Sequence, residues 1–252
     1  MNIQWDAKQY TQNFSFVHQY GRGLIELIEN PGGAEVLDLG CGTGDLTRQL
    51  KEEGMKVIGM DASREQLEIA KATHPEISFV HGDATEFSLV APVDVVFSNA
   101  VLHWIDGDKH PGMLNKVHEA LKPAGQFIFE FGGSGNNHLI HQALRKGFEK
   151  RGYAYVFPFY FPSIGEYTPK LESAGFKVVY AHLFDRMTEL EGEDGLYNWI
   201  KMFIKAPFQE IPESDEEAII SEALLELRAK LHINGKWHAD YVRIRCKAIK
   251  NL

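Results

Sequence analysis

The chain has 252 residues, 44% of them hydrophobic and 24% charged, which suits one α/β domain with a sizeable core and excludes a disordered or fibrous protein. Acidic residues outnumber basic ones 35 to 26, giving a net charge of −9, and this balance disfavours a nucleic-acid substrate. The two cysteines, Cys41 and Cys246, form no CxxC pair, so neither a disulfide framework nor a metal is expected. No run approaches the ~18 apolar residues of a membrane span, and a cytoplasmic enzyme without a membrane partner, a monomer or a homodimer, is the expectation.

In chain order, residues 16–28 place Val17, Tyr20, Leu24, Leu27 and Ile28 on one stripe of an amphipathic helix. Short β-branched runs then alternate with helical segments. The predicted strands are Val36-Leu37-Asp38-Leu39, Lys56 to Met60, Ile77 to Val80, Val93 to Phe97 and Gln126 to Glu130. Ser63 and Gln66 fit a capping box, and Leu114, Val117 and Leu121 recur at helical spacing before Lys122-Pro123-Ala124-Gly125. Strand, helix, strand at these intervals predicts βαβ units, hence a parallel sheet covered on both faces. Thr168-Pro169 is expected to open a short helix that Gly175 closes, followed by strands over 176–184 and 241–249. The chain therefore divides as one domain over 1–252, with a core at 34–131 and two insertions at 132–165 and 186–237 that cap the ligand end of the sheet.

The strongest local signal is Leu37-Asp38-Leu39-Gly40-Cys41-Gly42-Thr43-Gly44-Asp45. Glycines after the first strand allow positive φ and let a ligand approach the backbone at a helix N-terminus, although a tight turn alone has the same appearance. Asp61 lies 21 residues beyond Gly40 at the end of the second strand, where a carboxylate accepts hydrogen bonds from both ribose hydroxyls of an adenosine. A helix cap is its alternative role. A dinucleotide fingerprint needs a glycine at position 45, and this chain has Asp45 there. That disfavours NAD and favours an adenosine ligand without phosphates.

The run Glu35 to Gly44 resembles the first motif of the Rossmann-like (class I) S-adenosylmethionine-dependent methyltransferases. Asp61-Ala62-Ser63, Gly82-Asp83-Ala84 and Phe97-Ser98-Asn99-Ala100 resemble their second, third and fourth motifs, and Leu121 to Gly125 their turn before the fifth strand. Asn99-Ala100-Val101-Leu102-His103-Trp104 is most similar to the trans-aconitate methyltransferase group and its type 11 relatives. The resemblance implies a three-layer sandwich around a seven-stranded, mostly parallel sheet, its last strand antiparallel between the fifth and sixth, with a helical lid. It implies that Gly40, Cys41, Gly42, Thr43 and Gly44 line the methionine part of S-adenosylmethionine, with Asp38 positioning the loop and the ammonium. It further places Asp61 on the ribose, Ala62 beside the adenine, Asp83 and Ala84 on the adenine edge, and the carbonyls of Asn99 and Ala100 near the ammonium.

Methyl transfer from a sulfonium needs alignment and a dehydrated pocket, sometimes a base, and no metal. His103 is the candidate base or substrate contact, with a structural histidine beside Trp104 as the alternative. Tyr10, Phe14, His18 and Tyr20 are further lid candidates for which packing is preferred. Ser98-Asn99-Ala100-Val101 lacks the prolines of the amino-methylating Asn/Asp-Pro-Pro-aromatic motif, and two cysteines are too few for arsenic chemistry. A small-molecule acceptor remains, with a carboxylate oxygen hinted by the resemblance and other O, N or C acceptors still open. A non-catalytic S-adenosylmethionine-binding protein is the competing class. The aromatic run Tyr153, Tyr155, Phe157, Phe159, Tyr160 and Phe161 is expected to wall the pocket or to form core. Arg22 and Lys201 are weak nominees for holding an acid, and Arg243, Arg245 and Lys247, alternating on the last strand, are expected to form a solvated face.

Overall fold

A computed structural model of the chain describes residues 16–251, with side chains described from residue 21. Tyr10 and Phe14 lie outside the described residues, and so do the side chains of His18 and Tyr20. The strands are β1 (Glu35–Leu39), β2 (Lys56–Asp61), β3 (Ser78–His81), β4 (Val93–Asn99), β5 (Leu121–Gly132), β6 (Phe176–Glu189), β7 (His232–Ile233) and β8 (Lys236–Lys250). The main sheet runs β3-β2-β1-β4-β5-β8-β6, with the two-residue β7 paired to β8 off this path. Neighbours among β1 to β5 are parallel, and β8 lies antiparallel between β5 and β6.

The described helices are α1 (Phe16–Ile25), α2 (Asp45–Glu52), α3 (Arg64–Thr73), α4 (His110–Ala120), α5 (His138–Lys150), α6 (Ile164–Ser173), α7 (Gly195–Phe203) and α8 (Glu213–Leu231). Leu24 and Ile25 of α1 and Leu46 and Leu50 of α2 pack with Val36, Val95 and Phe97 on one side of the sheet. Met113, Leu114 and Val117 of α4 and Tyr167 and Leu171 of α6 pack with Leu37, Val96 and Phe127 on the other. This is the three-layer, mostly parallel Rossmann-like sandwich expected. A separate apolar cluster joins Ile140, Leu144 and Phe148 of α5 to Trp199 and Ile200 of α7 and Ile220 and Leu227 of α8. The two insertions thus share one core and build a single helical cap. Among the described residues no helix is long and apolar enough to cross a membrane.

Three local expectations need correction. The helix expected to open at Thr168-Pro169 begins one turn earlier, because Ser163 caps it by accepting the Glu166 N–H at 3.2 Å; Pro169 lies inside it. Strands β6 and β8 overrun their expected ends and stay paired out to Glu189↔His238, so residues 186–189 and 236–237 belong to the sheet rather than to the second insertion. Asn234 and Gly235 take φ of 53° and 81° and turn β7 back into β8, a two-residue hairpin turn absent from the expected elements.

The basic residues of β8 also depart from expectation. Arg243 and Lys247 are 8% and 5% exposed, not a solvated face. Helix α1 and the segment after it cover this side of β8. Lys247 donates to the Leu27 carbonyl at 2.8 Å and to Glu29 at 2.7 Å, and Arg245 donates to the Gly23 carbonyl at 2.9 Å. Glu130, 2% exposed and directly opposite Arg245 on β5, receives Arg245 at 2.6 Å and Arg186 of β6 at 2.6 Å. Removing the carboxylate strands two guanidinium groups in low dielectric. Glu130→Ala is therefore expected to destabilise the fold by about 3–5 kcal/mol in urea unfolding, whereas a loss below ~1 kcal/mol, typical of an exposed pair, would count against the triad.

Candidate active site

The glycine loop lies between β1 and α2, and its shape follows from backbone constraints. Gly40, Gly42 and Gly44 have φ of 80°, 55° and 85°, a region that L side chains resist. A Cβ on Gly40 would lie 2.3 Å from Val101 Cγ2, so that position is closed by packing. A Cβ on Gly42 would meet only Gln66 Oε1, at 3.9 Å, so the backbone there is open to a ligand. Gln66 Oε1 is itself buried without a hydrogen-bond partner among the described residues. The Gly40 and Cys41 N–H groups bond the Met60 carbonyl at 2.7 and 3.0 Å, which binds the loop to the end of β2.

The carboxylates gather around this loop. Asp61 Oδ2 accepts the Gly42 N–H at 2.9 Å and Oδ1 accepts the Ser63 N–H at 2.8 Å, so Asp61 serves as a local brace while Ser63 caps α3. Each carboxylate oxygen can accept a second bond, which leaves capacity for a ligand. Asp38 is 2% exposed and accepts the Thr47 hydroxyl at 2.7 Å. Burial, opposed by that hydroxyl and aided by the Asp61 charge, pushes its pKa from 3.8 up to about 7. Cys41 is buried and its thiol is pushed far up by burial and by Asp38 and Asp61, so it is inert packing. Thr43 donates to Asp45 at 2.7 Å, and the Ala62 carbonyl meets His81 Nε2 at 3.1 Å. Asp83 Oδ1 takes both the N–H and the hydroxyl of Thr85, at 2.8 and 2.7 Å. With buried Ala84 it borders a groove of about 440 Å³ that also reaches Trp104 and Lys109.

At the end of β4, Ser98 Oγ bonds the Leu39 carbonyl at 2.8 Å and Ala100 N bonds the Glu130 carbonyl at 2.7 Å. Ala100 takes φ 60°, a strained value for a residue with a Cβ, and turns the chain from the half-buried Asn99 toward His103. Beyond it is a cavity of about 50 Å³ between sheet and cap. Ala100, His103 and Trp104 line it from the core, Asn136, Asn137, Phe159 and Phe161 from the first insertion, Trp199 and Phe203 from α7, and Tyr241 and Arg243 from β8. Phe159 and Phe161 stack at 5.2 Å, so part of the aromatic run does wall a pocket. Tyr153 instead bonds Asp215 and Tyr160 bonds Glu166.

His103 is 8% exposed, and its Nδ1 receives the Gly132 N–H in a long bond of 3.4 Å. In the neutral ring this leaves the hydrogen on Nε2. Burial, reinforced by Arg243 and His110, holds its pKa well below the usual imidazole value. The cation of the cavity is one that the sequence pattern concealed. Arg243 lies over the Tyr241 ring at 4.0 Å, and the Tyr241 hydroxyl accepts Trp199 Nε1 at 2.6 Å. The weaker nominees lie elsewhere: Arg22 is exposed, and Lys201 is held by Glu216 and Glu217.

The donor set fits S-adenosylmethionine. Open backbone at Gly42, an orphaned acceptor at Gln66 and three acidic side chains suit a ligand with an ammonium, a sulfonium and hydroxyls. Asp38 would face the ammonium, Asp61 the ribose and Asp83 the adenine. A raised Asp38 pKa has a sign that can be checked. The folded state holds this proton more tightly than the unfolded chain, so Asp38 subtracts stability as pH rises from about 4 to 7. Asp38→Asn is expected to raise the Tm of the ligand-free protein at pH 8 by ~5 °C while weakening S-adenosylhomocysteine at least ~tenfold. Wild-type affinity should fall as pH drops from 7 to 5; calorimetry giving a pH-independent affinity would remove Asp38 from the ammonium.

Comparison with known proteins agrees with this geometry. Residues 36–125 match a family model described as a methyltransferase domain. The chain is 32% identical, over 98% of both sequences, to an uncharacterised methyltransferase of Schizosaccharomyces pombe. It is 30% identical to the trans-aconitate 2-methyltransferase of Deinococcus radiodurans, over 82% of this chain and 83% of that one. The solved S-adenosylmethionine-dependent methyltransferase of Mesorhizobium loti shares its fold with a TM-score of 0.55 at 20% identity, over 91% of this chain and 96% of that one. The chain belongs to the class I S-adenosylmethionine-dependent methyltransferases.

Proposed function

We propose that the methyl acceptor is a small molecule and that the accepting atom is a carboxylate oxygen. The observation that carries this reading is the pairing, in one cavity, of a buried guanidinium with no available base among the described lining residues. Arg243 supplies the charge. Among the described residues no Asp, Glu or Lys lines the cavity, the Tyr241 pKa is raised by burial, and His103 turns its one lone pair to the Gly132 N–H. An alcohol, a phenol or a protonated amine needs its proton removed before or during transfer. A carboxylate is already an anion at neutral pH and needs only alignment.

When bound, S-adenosylmethionine supplies a methyl group on a good leaving group. The protein's part is then positional. Arg243 draws and orients the carboxylate, His103 Nε2–H steadies its second oxygen, and Phe159, Phe161, Trp104, Trp199 and Phe203 exclude water that would solvate the nucleophile. The helical cap built from the two insertions serves as the substrate lid. The aromatic lining and the net charge of −9 favour a small acid over a nucleic acid. The name of the Deinococcus radiodurans relative supports the same class, and trans-aconitate is a first acid to test.

The decisive assay follows label from methyl-tritiated S-adenosylmethionine across a panel of carboxylic acids. Methyl esters release volatile methanol in alkali, whereas ethers, methylamines and C-methyl products do not. Alkali-labile product is expected; alkali-stable product would overturn the carboxylate assignment, and no transfer to any acceptor would favour a non-catalytic binding protein. Arg243→Gln should raise KM for the acid ~tenfold or more with S-adenosylhomocysteine affinity unchanged. With cofactor saturating, kcat should stay flat from pH 6 to 9. A rise with an apparent pKa near 6.5 would make His103 a general base instead.

A further inference from the structure

A second chamber of about 240 Å³ adjoins the cavity, sharing Asn136 and Phe161 with it. It lies between α5 and the aromatic run, with His138, His141, Gln142 and Arg145 on one side and Phe157 on the other. His141 is 4% exposed, and its Nδ1 lies 2.6 Å from the Tyr155 hydroxyl. Burial raises the Tyr155 pKa, so the phenol keeps its proton and donates it to Nδ1. That leaves the imidazole hydrogen on Nε2, which has no partner among the described residues. A buried donor without an acceptor is costly, and a ligand that answers it removes the cost. Burial, with Arg145 and His138 as lesser causes, holds the His141 pKa down at about 3, so the ring is neutral. Among the described residues no acidic side chain lines the chamber.

We propose that this chamber is a distal subsite for the acceptor and takes a second anionic oxygen group, bonded by His141 Nε2 and attracted by Arg145 at the rim. The inference rests on the acceptor cavity described above and adds a requirement to it. The preferred acceptor is an acid with two anionic ends, one at Arg243 and one at His141. Asn136, whose Oδ1 is committed to the Val242 N–H at 2.9 Å, and Phe161 line both spaces, so the acceptor would pass beside them.

The test uses the full chain loaded with S-adenosylhomocysteine, titrated calorimetrically with dicarboxylates from glutarate to suberate and with monocarboxylates of matching length. At least one dicarboxylate is expected to bind ten times or more tighter than its monocarboxylate partner. His141→Leu and Arg145→Gln should each reduce that preference at least fivefold, while monocarboxylate and S-adenosylhomocysteine affinities stay as in the wild type. His141→Gln, which keeps an N–H near the Nε2 position, should restore most of the preference. No preference in the wild type, or a preference that survives in His141→Leu, overturns the subsite. Methyl transfer is read in parallel, which separates the two claims. A dicarboxylate preference without alkali-labile product sustains the subsite and defeats carboxylate methylation; alkali-labile product without a preference defeats the subsite alone.

Discussion

Burial of positive charge on β8 is the constraint around which the rest of the molecule is arranged. Arg243, Arg245 and Lys247 alternate on one face of a strand inserted between two others, and α1 and the cap close that face from water. Desolvated cations need partners, and the neighbouring segments provide them. Glu130 answers Arg245 and Arg186, and Glu29 with the Leu27 carbonyl answers Lys247. Arg243 is carried by the same alternation to the end of the strand beside the cavity, where it lies over the Tyr241 ring.

The two halves of the site therefore differ in sign. Around the glycine loop Asp38, Asp61 and Asp83 give a field that favours a cationic cofactor, and Asp38 holds a proton in reserve because its burial is so complete. Across Ala100 the field reverses, with Arg243 in the cavity and Arg145 at the edge of the chamber beyond. Under the proposed function, cofactor and acceptor are sorted by charge. The strained turn at Ala100 and the bond from Ser98 to the Leu39 carbonyl lie between the two halves.

What could be read from the sequence follows how local each signal is. The glycine loop, Asp61 and the Ser63 cap depend on residues close in the chain or on a strand–turn–helix unit, and each stands where its spacing predicts. The parallel core over 34–131 was legible for the same reason, as was the alternation of the last strand, whose antiparallel place came from the family resemblance. Arg243 was not, because alternating basic residues look alike whether water or another segment covers them. Its surroundings come from the first insertion and α7, distant in the chain. The orphaned nitrogen of His141 likewise depends on Tyr155 meeting it across an extended segment with no periodic pattern. The Asn234-Gly235 hairpin did carry a local signal, a two-residue turn that favours positive φ, but its first strand is only two residues long and sits flush against α8. Pro169 misled because the Ser163 cap, six residues earlier, dominates the start of that helix.

With a cation and no available base among the described lining residues, the proposed acceptor arrives already ionised. The most direct measurement is ¹⁵N NMR of the His103 ring in the S-adenosylhomocysteine complex, assigned with His103→Gln, from pH 5.5 to 9. The ring is expected to stay neutral throughout, with Nε2 protonated and Nδ1 bare, and with shifts that do not move with pH. A ring that titrates near pH 6.5, or one with the hydrogen on Nδ1 and the lone pair on Nε2, would put a base in the cavity and contradict it.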